Sequence, residues 1–219
     1  MYYLSFDCAN KSLAVGLYYI DSNFLQSTKS IISECNSAEE WKSESNIRIL
    51  NQRIDSLMDI LYVDVLDILP NKKVKDVNII ERSSMLKKAI EQVNTIITEK
   101  IPSDVSITVC IEYQMNVNDK SRTVYSQLVY EYSNRENYTI MIMKPLLKNT
   151  IFFSEELQYC HIVEKHNSVY RANKIHSSLN FMHFIHIFGH DEKIKHIKKK
   201  NIDDIADTFM QVMAYILCG

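Results

Sequence analysis

Between a break at Pro102-Ser103-Asp104 and the acidic Glu112 lies Val105–Ile111, a continuous β-branched and apolar run. Such a run reads as a central strand buried on both faces, which requires helices above and below the sheet. The flanking pattern supplies both partners. Residues 2–9 form an aromatic-rich strand, Leu13–Ile20 a second and Phe24–Ile32 a third, parted by the polar break Asn10–Ser12 and the turn signal Asp21-Ser22-Asn23. Tight turns between three consecutive strands make an antiparallel meander. Ile47, Leu50, Ile54, Leu57, Met58 and Leu61 recur at helical spacing up to Pro70, and Met85, Leu86, Ala89, Ile90, Val93, Ile96 and Ile97 do so again. Thr123–Asn134 reads as a helix and Tyr138–Met143 as a fifth strand closed by Lys144-Pro145. Residues 146–200 read as mostly helical, and the last helix runs from about Asp203 to Leu217. The expected fold is therefore α/β: a five-stranded mixed sheet, three antiparallel strands plus two parallel ones, flanked by helices.

The 219 residues suit one domain spanning 1–219, with a helical insertion at about 41–76. Three glycines leave no room for a P-loop or a dinucleotide fingerprint. The five cysteines, Cys8, Cys35, Cys110, Cys160 and Cys218, are odd in number and never spaced as CxxC, which fits reduced thiols in an intracellular compartment. No apolar run reaches the ~18 residues of a membrane span, and the N-terminus opens on a strand rather than a signal peptide. A soluble intracellular protein is expected. The net charge of −2 does not announce a nucleic-acid binder, so basic residues serving DNA would have to be clustered.

The chemistry-bearing residues are acidic. Asp7 ends the first strand, sharing a face with Tyr3 and Ser5, and Glu112 ends the central strand. A carboxylate in an apolar strand is costly unless it is paired or binds a cation; each alone also reads as a strand end in water. Asp203-Asp204-Ile205-Ala206-Asp207 opens the final helix. Its apolar arc is Ile205, Phe209, Met210, Val212, Met213, Ile216 and Leu217. Asp204 and Asp207 lie together beside that arc and aim at one point. Helix capping explains Asp203 easily, Asp204 less readily, and Asp207, deeper in the helix and beside the buried stripe, less well. Four carboxylates of this kind suit hard divalent cations, Mg²⁺ with Mn²⁺ able to substitute.

Strand order and carboxylate placement resemble the RuvC-type Holliday junction resolvases of the RNase H-like superfamily. The segments Leu-Ser-Phe-Asp-Cys-Ala-Asn, Cys-Ile-Glu-Tyr-Gln and Asp-Asp-Ile-Ala-Asp-Thr-Phe resemble the poxvirus branch in particular. Ala9 stands where bacterial relatives usually carry glycine. The resemblance implies that Asp7, Glu112, Asp204 and Asp207 are catalytic metal ligands for two ions. It also implies a catalytic lysine, Lys174 in its Asn-Lys context being preferred over Lys148. The implied function is a homodimeric endonuclease cleaving four-way and other branched DNA to 5′-phosphate products, in concatemer resolution at cytoplasmic sites of viral replication. Alternatives are a nuclease of the same fold acting on single strands or RNA–DNA hybrids, and a non-catalytic DNA-binding scaffold.

Basic candidates for DNA contact are Lys148, Arg171 and the run Lys198, Lys199 and Lys200, which continues upstream through Lys193 and Lys195. Arg82, Lys87 and Lys88 make a second candidate patch. His183, His186 and His190 recur at i, i+3 and i+7, with His161 and His166 nearby. No cysteine or carboxylate completes a zinc spacing, so core or surface roles are expected. The apolar faces of Ile47–Leu61 and Met85–Ile97 are candidate dimer surfaces, or simply pack on the sheet.

Overall fold

The structure, a computed structural model of the chain, describes residues 1–23, 58–70, 72–113, 119–153, 157, 159–165, 168–187 and 189–218. Five strands form one sheet in the order β3-β2-β1-β4-β5. They are β1 (Tyr2–Cys8), β2 (Ser12–Ile20), β3 (Met58–Asp67), β4 (Ile107–Glu112) and β5 (Tyr138–Met143). β1 is antiparallel to β2, β2 to β3, and β1–β4 and β4–β5 are parallel. The helices are α1 (Ile79–Lys100), α2 (Asp119–Ser133), α3 (Tyr159–Glu164), α4 (Val169–Ile187), α5 (Asp191–Ile194) and α6 (Ile202–Cys218). Among the described residues, no helix is long and apolar enough to cross a membrane.

Both faces of the sheet are covered, as the apolar β4 demands. Leu4, Phe6 and Cys8 of β1 join Val109 and Ile111 of β4 under α1 and α2, packing on Leu86, Ile90, Val93, Val124 and Leu128. Tyr3 and Cys110 face the other way, toward α6 and α4, where Phe153, Phe181, Phe184 and Phe209 interlock with centroids 4.6–6.0 Å apart. α6 lies between the sheet and α4. It is accordingly buried almost all round, including Ala206, Thr208 and Gln211, which lie outside the apolar arc read from sequence. α1 starts where Asn78 accepts a hydrogen bond from the Glu81 N–H (2.9 Å) and stops before Pro102.

The third meander strand differs from expectation. Phe24–Ile32 lies outside the described residues, and Met58–Asp67 pairs with β2 instead. Residues 58–61 are therefore strand, not the end of a helix, and within the described part of the expected helical insertion Met58–Asp67 is strand and only Val74–Asp76 a 3₁₀ turn; residues 47–57 lie outside the described set. The cause is a register shift. Leu17 pairs with Tyr62 but Tyr18 pairs with Ile60, so Leu61 is an extra residue. Across that bulge the face toward α6 changes from even to odd positions, Met58 and Ile60 to Val63. An interrupted period of two thus imitates helical spacing. Of the two readings of the Met85–Ile97 face, packing on the sheet is the one observed.

Candidate active site

Strand pairing brings the first two acidic residues together. Phe6 pairs with Ile111 in the parallel β1–β4 ladder, so the next step of the register sets Asp7 beside Glu112 on one face. α6 crosses that face with its first two turns over the strand ends, adding Asp203, Asp204 and Asp207. Its position is fixed by polar contacts inside an apolar layer. Ser5 donates to Gln211 Oε1 (3.1 Å), Gln211 Nε2 lies 3.5 Å from Glu112 Oε2, and the Tyr18 and Thr208 hydroxyls are 2.8 Å apart. Gln211 escaped the sequence reading. Its signal was available, as a polar residue four positions after Asp207 on the buried side of the helix.

Both lysine candidates enter the same cluster. The 3₁₀ turn Leu147–Thr150 after β5 buries Lys148, whose Nζ donates to Glu112 Oε2 (2.8 Å) and pairs with Asp207 Oδ2 (2.9 Å). The second turn of α4 delivers Lys174, with Nζ 3.0 Å from Asp204 Oδ1 and Asp207 Oδ2, 3.7 Å from Asp7 and 3.9 Å from Asp203. Lys148 is therefore a buried partner of the acids and not an open surface contact. Asp7, Glu112, Asp204 and Asp207 line a cavity of about 270 Å³ together with both lysines, Pro145, Tyr170 and Asn173.

Burial and charge divide the titrations. Burial first, and the Asp207 charge second, push Asp7 up to about 7, against the pull of Lys174 and Lys148. Burial works against Asp207 as well, but Lys148 and Lys174 outweigh it and hold that carboxyl below the usual range. Desolvation opposes charge on both lysines, and the surrounding carboxylates still raise them well above the ordinary ammonium value. Asp203 is raised, mainly by burial. Burial also raises the Cys8 thiol, with the Asp7 and Glu112 charges adding to it.

The donor set matches a hard cation: every donor is a carboxylate oxygen, and Asp207 Oδ1 is buried without a hydrogen-bond partner. As the side chains stand, no three acids, histidines or cysteines among the described residues enclose a metal position. The ammonium groups lie between the carboxylates, where cations belong electrostatically.

Other candidates sit elsewhere. Arg171 is exposed and outside the cavity lining, and Lys198, Lys199 and Lys200 are exposed on the 3₁₀ turn before α6. Arg82 is buried, donating to the carbonyls of Asn10 and Val74, so it leaves the expected basic patch. His183 and His186 remain on α4. His190 lies past its end, beyond Gly189 (φ 67°), stacked on Phe184 at 5.6 Å, so the i, i+3, i+7 row does not continue. His161 and His166 have side chains outside the described set.

No family model matches the chain, and no curated protein matches it. Solved structures do. Fowlpox virus resolvase bound to substrate Holliday junction DNA superposes with a TM-score of 0.54 at 15% identity, over 99% of this chain and 97% of that one. The chain has the fold of a Holliday junction resolvase. The fowlpox virus Holliday junction resolvase alone gives 0.53 at 15% identity, with 99% and 97% covered. Thermus thermophilus RuvC with Holliday junction substrate gives 0.49 at 10% identity, with 99% and 95% covered. The RNase H-like, five-stranded mixed sheet expected from sequence is thus the observed fold.

Proposed function

We propose that the chain is a metal-dependent endonuclease that resolves four-way and other branched DNA junctions. The observation that carries this reading is one cavity, in a resolvase fold, where carboxylates from two strands and a helix surround two lysines. Asp7, Glu112, Asp204 and Asp207 would hold two Mg²⁺ ions, with Mn²⁺ able to substitute; ions bound there supply Lewis acidity and an activated water for phosphodiester hydrolysis. The protein's own part is positional. Gln211 and Lys148 orient Glu112 from two sides. Lys148, deep in the cluster, keeps Asp207 ionised. Lys174, nearer the opening, has an ammonium group suited to the negative charge that grows on a scissile phosphate.

Junction resolution needs two matched incisions, and the described residues carry one carboxylate set, so a C₂ homodimer belongs to this proposal. On the same reading the products carry 5′-phosphates, and the chain works on branched intermediates at cytoplasmic sites of viral replication. The test incubates the full chain with four-way junctions, RNA–DNA hybrids and single strands, with and without Mg²⁺. Paired Mg²⁺-dependent cuts in junctions are expected. Cleavage confined to hybrids or single strands assigns the site to a different substrate, and metal-independent binding without cleavage makes the chain a scaffold.

A further inference from the structure

A second cavity, about 280 Å³, opens where the β1–β2 turn meets the segment leading into α6; Lys11, Ser12, Asp67, Lys198, Lys200 and Asn201 line it. Its chemistry is that of an anion site. Three lysines, a serine and an asparagine line it with one aspartate and the apolar Val65, a set suited to phosphate oxygens and too poor in carboxylates for a metal. The basic run before α6 is divided by its partners. Lys193 pairs with Asp59 (3.3 Å) and Lys195 with Glu192, whereas among the described residues Lys198 and Lys200 have no acidic partner. Lys11 lies 4.0 Å from Asp67, with both side chains half exposed, a contact that an incoming phosphate can replace.

The cavity walls are held in place from below. Buried Arg82 donates to the Asn10 carbonyl, Ser121 Oγ donates to Asn10 Oδ1 (3.0 Å), and the Ile68 N–H donates to the Lys11 carbonyl (2.9 Å). On the other wall, the Asn201 N–H donates to the Lys198 carbonyl (2.8 Å). Both walls also continue into the acidic site. Lys11 follows Asp7 by four residues, at most roughly 13 Å of extended chain, and Lys200 precedes Asp204 by four, roughly 6 Å of helical rise. With about 3.4 Å of helix axis per nucleotide, a phosphate here lies within roughly four nucleotides of the cleavage site.

We propose that this cavity is a phosphate clamp, binding one backbone phosphodiester of the DNA strand presented to the carboxylate site. The proposal rests on the nuclease reading above and adds a residue group that positions the strand without touching the reacting atoms. Lys11 and Ser12 enter as phosphate ligands alongside Lys198 and Lys200. Asp67 is the internal counterion that the phosphate displaces.

The test is a binding scan without divalent metal, using four-way junctions that carry one neutral methylphosphonate at each of four positions on either side of the cut. Wild type should lose about tenfold affinity at one position, the scale of a charged hydrogen-bonded contact. The doubly substituted Lys11→Met/Lys200→Met protein should bind intact junction more weakly. It should not respond to that methylphosphonate, and its plot of log affinity against log salt should be shallower by about 1. Lys193→Met, already neutralised by Asp59, should keep the wild-type slope. Uniform insensitivity of wild type across the scan overturns the clamp, as does a double variant with wild-type affinity and slope. If wild type prefers duplex or single strands, the junction reading fails and the same scan on the preferred DNA judges the clamp separately. If wild type binds no DNA, both fall.

Discussion

Replacing Lys174 by methionine should move stability, metal affinity and cleavage in three distinguishable directions. The ammonium lies within 4.0 Å of four carboxylates, two of them at 3.0 Å, and its side chain is only 21% exposed. Removing one partner from a buried ion cluster costs about 3–5 kcal/mol, chiefly because the remaining charges stay desolvated and unpaired. The lower end applies, since Lys148 still contacts Asp207 and Asp7 can take up a proton near neutrality. A loss of about 3 kcal/mol in a chain of this size lowers the melting temperature by roughly 6–12 °C. The same interaction opposes metal entry, because a cation must part Lys174 from Asp204 and Asp207. The variant should therefore bind Mg²⁺ or Mn²⁺ up to about 100-fold more tightly, the equivalent of that ~3 kcal/mol. Metal should then restore most of its lost stability. Cleavage should still fall by about 10²-fold or more, through loss of a cation at the scissile phosphate. Thermal melting and isothermal titration with Mn²⁺ read the first two effects without any turnover. A Lys174→Met protein that melts like wild type without metal, or that binds Mn²⁺ more weakly, refutes the reasoning.

Glu112→Gln and Asp207→Asn should each abolish junction cleavage while junction affinity, measured by anisotropy without metal, stays within a few-fold; wild-type rates would remove that residue from the site. Asp7 carries a native value of about 7 against an ordinary 3.8, so the folded state holds the extra proton between those values. Stability from this group is therefore lost as pH rises from about 4 to 7, and metal-free Asp7→Asn should be a few kcal/mol more stable than wild type at pH 8 in denaturant melts. His176 has the opposite sign: burial lowers it from 6.5 to about 4, the unfolded chain binds the extra proton, and stability falls as pH drops through that window. Asp7→Asn should consequently show a steep rise in stability from pH 4 to 6.5 that wild type, with both groups opposed, does not; equal slopes would refute the pairing. Gly16→Ala should cost about 2 kcal/mol, because a Cβ there would stand 2.3 Å from the Tyr18 hydroxyl that meets Thr208. A neutral melt would show that the ring has room to move.

Local rules fixed more of this molecule than its low identity to the solved structures of the same fold would suggest. The β-branched Val105–Ile111 run had to lie inside the sheet, the Pro102 signal ended α1, and strand ends at Asp7 and Glu112 followed from period and polarity. Asp204 and Asp207 were legible as a pair because helical geometry alone puts residues three apart on one side. What sequence could not decide was anything depending on contact between distant segments. The bulge at Leu61 is a property of the β2–β3 pairing, and it interrupts the period of two that would have marked Met58–Asp67 as a strand. Lys148 and Lys174 were rivals for one role in sequence; packing of α4 and the Leu147–Thr150 turn against α6 brings both into the same acidic cluster. Arg82 read as surface charge because nothing local shows that Asn10, seventy-two residues away, needs a buried donor. Periodicity records which side of an element is apolar, and only the assembled sheet determines which charges must share the space beneath it.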